Sequence, residues 1–173
     1  MHARLLELIK DVPDFPKPGI VFKDFTPLLA DPAALALAVE LMVNPFRGKR
    51  VDLVLGAESR GFIFGTAIAQ SLSAGFVPIR KAGKLPREVH HVEYALEYGV
   101  DRLEIHAGDL PQGSKVLIVD DLLATGGTLQ ASAQLARMAG ADILGATVLI
   151  ELQALGGRAK LDGIEPLHCV LKL

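Results

Sequence analysis

Two adjacent carboxylates, Asp120 and Asp121, are followed within a few residues by Ala124, Thr125, Gly126, Gly127 and Thr128. The acids close a short, apolar, β-branched run at 116–119, the pattern of a strand buried on both faces. In a parallel sheet such a strand end opens onto the ligand crevice. The small residues then lead into an apolar-periodic segment (Leu129, Ala133, Leu135, Ala136) that reads as a helix. Free N–H groups and the dipole at a helix start can surround a phosphate, and the two threonine hydroxyls add donors. Carboxylates repel phosphate, so the paired acids need another target. Vicinal ribose hydroxyls fit, because each is a donor and an ionised carboxylate is an acceptor. The string therefore suits a ribose 5-phosphate, with the acids on the sugar and the loop on the phosphate.

Two rival phosphate motifs are excluded. The loop has no Gly-Lys-Ser/Thr ending of a nucleoside-triphosphate site and no Gly-x-Gly-x-x-Gly of a dinucleotide site. Lys plus Arg total 18 against 20 Asp plus Glu, a net charge of −2 that argues against a nucleic-acid binder. The basic residues Arg80, Lys81, Lys84 and Arg87 fall in one predicted loop, which suits a small polyanion. Cys169 is the sole cysteine, so an intramolecular disulfide and a cysteine-rich metal site are excluded. No apolar stretch is long enough to span a bilayer, and the N-terminus lacks a signal-peptide pattern. A cytoplasmic protein with no membrane association is expected.

The elements that must position these groups follow a strand–loop–helix rhythm. A helix over 2–10 is expected first, then a break at Pro13, Pro16 and Pro18 and an extended run at 20–22. Asp31-Pro32 is a strong helix start, with the acid as N-cap and proline at the first helical position; that helix should stop near Asn44-Pro45. Strands are predicted at 51–55, 76–79, 115–119, 143–150 and 167–171, with helices at 61–72 and 129–138. Such alternation implies an α/β fold with a central, mostly parallel sheet flanked by helices. The 173 residues suit a single domain. Residues 81–99 break the rhythm and read as a long charged loop, of the kind that closes over a site. His90 and His91 within it read as exposed loop residues, since other metal ligands at suitable spacing are missing.

A second strand-to-helix connection, Gly56-Ala57-Glu58-Ser59-Arg60-Gly61, holds the same topological position as the acid-containing one and should face the same crevice. Together with Asp14-Phe15-Pro16, Pro18-Gly19-Ile20-Val21-Phe22-Lys23-Asp24, Gly83-Lys84-Leu85-Pro86 and Leu96-Glu97-Tyr98-Gly99, it gives the chain its character. Over nearly its whole length the chain resembles the type I phosphoribosyltransferases, and among them the adenine-specific family. Two departures are present: 86–95 is less like the family pattern, and Glu58 stands where some members have aspartate.

The resemblance implies conversion of adenine and phosphoribosyl pyrophosphate (PRPP), with substrate-bound Mg²⁺, to AMP and pyrophosphate by a homodimer. It assigns Asp120 and Asp121 to the ribose, and Ala124, Thr125, Gly126, Gly127 and Thr128 to the 5′-phosphate. Ser59 and Arg60 take the pyrophosphate, with Lys84 contributing from the loop and Arg80 reaching across the dimer. A small hood formed by residues 1–30 carries Val21, Phe22 and Lys23 to the base. Phe22 stacks on the ring, the main chain of Val21 and Lys23 reads its edge, and Leu152 covers the other side. Glu97 handles the base proton or orients the base. The resemblance also implies a cis peptide between Glu58 and Ser59. Alternatives left open by the residues are another base, such as xanthine or orotate, and a PRPP-sensing domain without catalysis; too few N-terminal residues are present for the DNA-binding module such a sensor carries.

Overall fold

The computed structural model describes residues 2–95 and 99–173. Glu97 lies outside the described residues, as do Leu96 and Tyr98. The chain divides into two compact units, Met1–Leu41 and Met42–Leu173.

The first unit opens with α1 (His2–Glu7), shorter than the helix expected over 2–10. Lys10 instead begins β1 (Lys10–Pro13), which pairs antiparallel with β2 (Val21–Asp24). The prolines between them form the connection, in which Asp14 Oδ1 accepts a hydrogen bond from Gly19 N–H at 2.7 Å. Phe15 meets Phe22 edge-to-face with ring centroids 5.2 Å apart. A short helix, α2 (Thr26–Ala30), precedes α3 (Pro32–Val43), which begins in this unit. Asp31 caps α3 as its sequence implies: Oδ1 accepts from Ala33 N–H and Ala34 N–H, each at 2.9 Å. Arg4 holds the same carboxylate at 3.1 Å.

The second unit is built on β3 (Leu53–Ala57), α4 (Gly61–Ser71), β4 (Gly75–Lys81), β5 (Val89–Ala95), β6 (Val100–His106), β7 (Lys115–Leu123), α5 (Gly127–Met138), β8 (Asp142–Glu151) and β9 (Leu167–Lys172). Its sheet runs in the order β5-β6-β4-β3-β7-β8-β9. The strands from β4 through β9 in that order are parallel, while β6 joins β4 and β5 antiparallel. Neighbouring residues on a strand point to opposite faces. Val54 and Leu55, like Leu117 and Ile118, are all buried, so both faces of the central strands are covered. One face packs with α5 through Leu129, Ala133, Leu135 and Ala136. The helix α4 packs against β3, β4 and β7.

The topology fixes where a ligand can enter. From β3 the chain moves through α4 to β4 on one side, then returns to place β7 on the other side of β3. The strand order therefore reverses between β3 and β7, and the loops leaving these adjacent strands splay apart to leave a crevice.

Three sequence expectations need correction. The stretch 81–99 is not wholly irregular: β5 lies within it and forms a hairpin with β6, a strand absent from the sequence reading. Alternate exposed and half-buried positions on β5 satisfy an edge hairpin without an apolar run. His90 and His91 accordingly sit on a strand, with His90 half-buried. Arg80 and Lys81 end β4 and are not loop residues.

Candidate active site

The acids lie within β7, which continues past them to Leu123 because Leu122 and Leu123 still pair with Ile150 and Glu151 of β8. Both carboxylates are buried, with 8% and 5% exposure for Asp120 and Asp121. Asp121 N–H donates to Asp120 Oδ1 at 2.9 Å. Burial first, and the neighbouring Asp121 charge second, push the Asp120 carboxyl well above the ordinary range. Asp121 Oδ2 lies 3.0 Å from Arg60 Nε, an ion pair whose N–H is not aligned to make a hydrogen bond to that oxygen. A buried carboxylate oxygen without a hydrogen bond is costly unless a ligand supplies the donor.

Beyond β7, Ala124, Thr125 and Gly126 turn into α5. Gly126 is its N-cap with φ +88°, a conformation that L side chains rarely adopt. No side chain caps this end among the described residues, so the first N–H groups of α5 are left for a ligand. At the start of α4, Arg60 is the N-cap and makes no side-chain cap bond, but Phe62 N–H and Ile63 N–H donate to Ser59 O and Arg60 O at 3.2 and 3.1 Å, so this end is tightened by its own backbone. The Glu58–Ser59 peptide bond before it is cis, as the resemblance implies.

These two helix starts and the acids between them line one cavity of about 210 Å³. Its lining is Glu58, Ser59 and Arg60 together with the continuous stretch 120–129. The structure thus brings together Ser59, Arg60, Asp120, Asp121, Ala124, Thr125, Gly126, Gly127 and Thr128. Leu122, Leu123 and Leu129 also line it; the sequence marks Leu129 only as part of the helix and gives none of the three a place in the site.

Other expected site residues stand outside this lining. Arg80 Nε is 3.2 Å from Glu58 Oε1, and Lys81 N–H donates to the same oxygen at 2.5 Å. Burial alone would raise the Glu58 carboxyl, but these two bonds and the nearby charges of Arg80 and Lys84 hold it below the ordinary range. Arg80 thereby serves the turn beside the cavity. Lys84 is exposed. Lys81 and Arg87 are ion-paired, to Asp101 at 3.1 Å and Asp109 at 2.8 Å. Leu152 is half-buried just after β8, with its N–H donating to Leu123 O at 2.9 Å. In the first unit Val21 is exposed and Phe22 half-buried, while Lys23 Nζ is engaged by Asp11 at 2.7 Å. A residue missed entirely is Tyr94 on β5: its ring edge would lie 3.2 Å from a Cβ on Gly127, beside the loop. That contact joins residues distant in sequence, and nothing local signals it.

A buried acid pair and two helix starts share one cavity at the reversal point of a mostly parallel sheet, the place where α/β folds bind their ligands. A phosphoribosyl transferase domain model matches residues 26–165. The adenine phosphoribosyltransferase of Rhodopirellula baltica is 53% identical over 99% of this chain and 82% of its own. Among solved structures, adenine phosphoribosyltransferase from Rhodothermus marinus superposes with a TM-score of 0.95 at 48% identity, covering 99% of this chain and 97% of that one. The Saccharomyces cerevisiae enzyme, solved with adenine and an imino-altritol bisphosphate, gives 0.92 at 39% identity, covering 98% and 97%. The chain belongs to the phosphoribosyltransferase family, within its adenine phosphoribosyltransferase branch.

Proposed function

We infer that this chain transfers the 5-phosphoribosyl group of PRPP to adenine, forming AMP and pyrophosphate. The observation that supports this reading is that one cavity is lined together by the Glu58–Ser59–Arg60 turn, the buried acid pair and the 124–128 loop. PRPP has the same order of groups: pyrophosphate, ribose hydroxyls, 5′-phosphate.

Matching them assigns the pyrophosphate to Ser59 and Arg60, assisted by Lys84, and the ribose hydroxyls to Asp120 and Asp121. Ala124, Thr125, Gly126, Gly127 and Thr128 take the 5′-phosphate at the α5 start. Arg80 supports the pyrophosphate turn through Glu58 and reaches a second copy of the chain in the homodimer. Val21, Phe22, Lys23 and Leu152 recognise the base, and the hood of residues 1–30 and the segment 81–99 with its strand β5 belong to one phosphoribosyltransferase domain spanning 1–173.

In the reaction the anomeric C–O bond to pyrophosphate breaks ahead of C–N bond formation, giving an oxocarbenium-like transition state, as in glycoside cleavage. N9 of adenine donates the electron pair, and its proton passes to Glu97 or to solvent. Arg60 and Lys84 stabilise the negative charge that grows on the leaving oxygen. Closure of the segment after β4, which includes the β5 arm of the β5–β6 hairpin, excludes water, which would otherwise hydrolyse PRPP.

Mg²⁺ prefers oxygen ligands and retains several waters. Asp120 and Asp121 at the cavity wall would hold such an ion through its waters, and substrate oxygens would be its ligands. When bound, it would neutralise charge on the pyrophosphate. No helix among the described residues is long and apolar enough to cross a membrane. The proposed setting is the cytoplasm, with small-molecule substrates and no nucleic-acid partner.

The test is product formation by the purified chain given radiolabelled adenine, PRPP and Mg²⁺. AMP and pyrophosphate should appear in equal amounts. PRPP binding without AMP formation would favour a sensor instead.

A further inference from the structure

The wall behind the 5′-phosphate loop is made by a segment more than thirty residues away. Gly157 is buried, and a Cβ there would overlap Ala124 O and lie 3.0 Å from both Ala124 C and Gly126 N. Conversely, a Cβ on Gly126 would lie 2.8 Å from Gly157 O. The two backbones are therefore in direct contact, with no room for a side chain between them.

Gly157 starts a single 3-10 turn, Gly157–Lys160, which is too short to fix its own position. Its neighbour Arg158 supplies the anchor. Arg158 Nε and Nη2 fork onto Glu151 Oε1 and Oε2 at 2.9 and 2.7 Å. Nη1 donates to Leu167 O at 3.1 Å, and Nη2 lies 3.3 Å from Cys169 Sγ. Glu151 is only 5% exposed and ends β8 directly opposite Leu123, the residue before Ala124. The fork thus ties the wall to the strand end from which the phosphate loop departs. Arg158 itself does not line the cavity.

We propose that Arg158, forked onto Glu151, is a positioning residue for the 5′-phosphate loop and acts through the backbone of Gly157. The proposal rests on the assignment of residues 124–128 to that phosphate. A guanidinium can satisfy both carboxylate oxygens while donating to Leu167 O; an ammonium cannot reproduce that planar fork. Loosening the fork lets the wall retreat, and the loop loses the spacing of its N–H groups.

The test is calorimetric titration of the full chain with ribose 5-phosphate and, separately, with pyrophosphate. Gly157→Ala and Arg158→Lys should each weaken ribose 5-phosphate binding by about tenfold or more, the scale of a small misplacement. Pyrophosphate, assigned to the 58–60 turn, should bind as in the unaltered chain, and KM should rise for PRPP but not for adenine. If Gly157→Ala does not fold, Arg158→Lys and Glu151→Gln give the same ratio of affinities. An equal loss of both ligands, or rescue of full affinity by lysine at 158, would overturn the positioning role. A Thr125→Ala/Thr128→Ala variant separates the two levels. If it loses ribose 5-phosphate while the Arg158 and Gly157 variants do not, only the positioning role fails. If it binds normally, the phosphate assignment falls and takes the proposal with it.

Discussion

A Cβ on Gly61 would lie 2.9 Å from Asp120 Oδ1, so the first residue of α4 is in direct contact with the acid on β7. Under the proposed assignments, the pyrophosphate turn and the ribose acids meet at that contact. Gly61→Ala should therefore displace the Asp120 carboxylate, lower stability by roughly 1–3 kcal/mol as overpacking does, and weaken PRPP binding. Denaturant unfolding and PRPP titration of the same variant check both effects.

Asp120 should trade stability for function. Its carboxyl is raised by burial and by the Asp121 charge, so the folded chain binds a proton that the unfolded chain has already released. Stability then falls as pH rises from about 4 toward the raised folded value, because the unfolded state binds fewer protons across that window. Asp120→Asn keeps an oxygen to accept from Asp121 N–H while removing the ionisable group. We expect a higher Tm than the unaltered chain at neutral pH, a flatter pH dependence above pH 4, and weaker PRPP binding. Thermal melts across that pH range supply the check.

Asp121→Asn should leave the fold intact and weaken PRPP binding by roughly 1.5–3 kcal/mol, the cost of one charge-assisted hydrogen bond. Equilibrium binding measures it. Unaltered PRPP affinity in both asparagine variants would remove the ribose assignment.

Base binding should depend on Phe22 and not on the Lys23 side chain. Phe22→Ala is expected to weaken adenine binding by about 1–3 kcal/mol, the scale of base–aromatic stacking. Lys23 Nζ is engaged by Asp11 at 2.7 Å, which fits a main-chain role at that position. Lys23→Ala should keep the preference for adenine, and competition between adenine and hypoxanthine reads it directly.

The parts of the fold visible in the sequence were those set by local chemistry. Asp31-Pro32 announced α3 because cap and first turn lie within three residues, and the cap bonds are present. The acid pair and the Gly126-Gly127 turn announced the cavity because strand, loop and helix start are contiguous. The hairpin of β5 and β6 was hidden, since its exposed positions include the apolar Ala95 and Val100 and its buried ones, such as Glu104 and His106, include polar residues. Extension of β7 to Leu123 was hidden as well: two acids in a row end a strand by propensity, and only pairing with β8 overrides that. Contacts such as Tyr94 with Gly127, or Gly157 with Ala124, join distant segments and leave no local pattern to read.

The central claim is the identity of the base, and the decisive measurement is kcat/KM for adenine, hypoxanthine, guanine and orotate, each with PRPP and Mg²⁺. Adenine carries an amino donor where hypoxanthine carries a carbonyl acceptor. A main-chain acceptor at Val21 or Lys23 that meets that amino group would be left opposed by the wrong base, which produces discrimination of about 10⁴-fold or more. The expected result is turnover of adenine exceeding every other base by that order. Comparable turnover of hypoxanthine, guanine or orotate would contradict the assignment, even with PRPP binding intact.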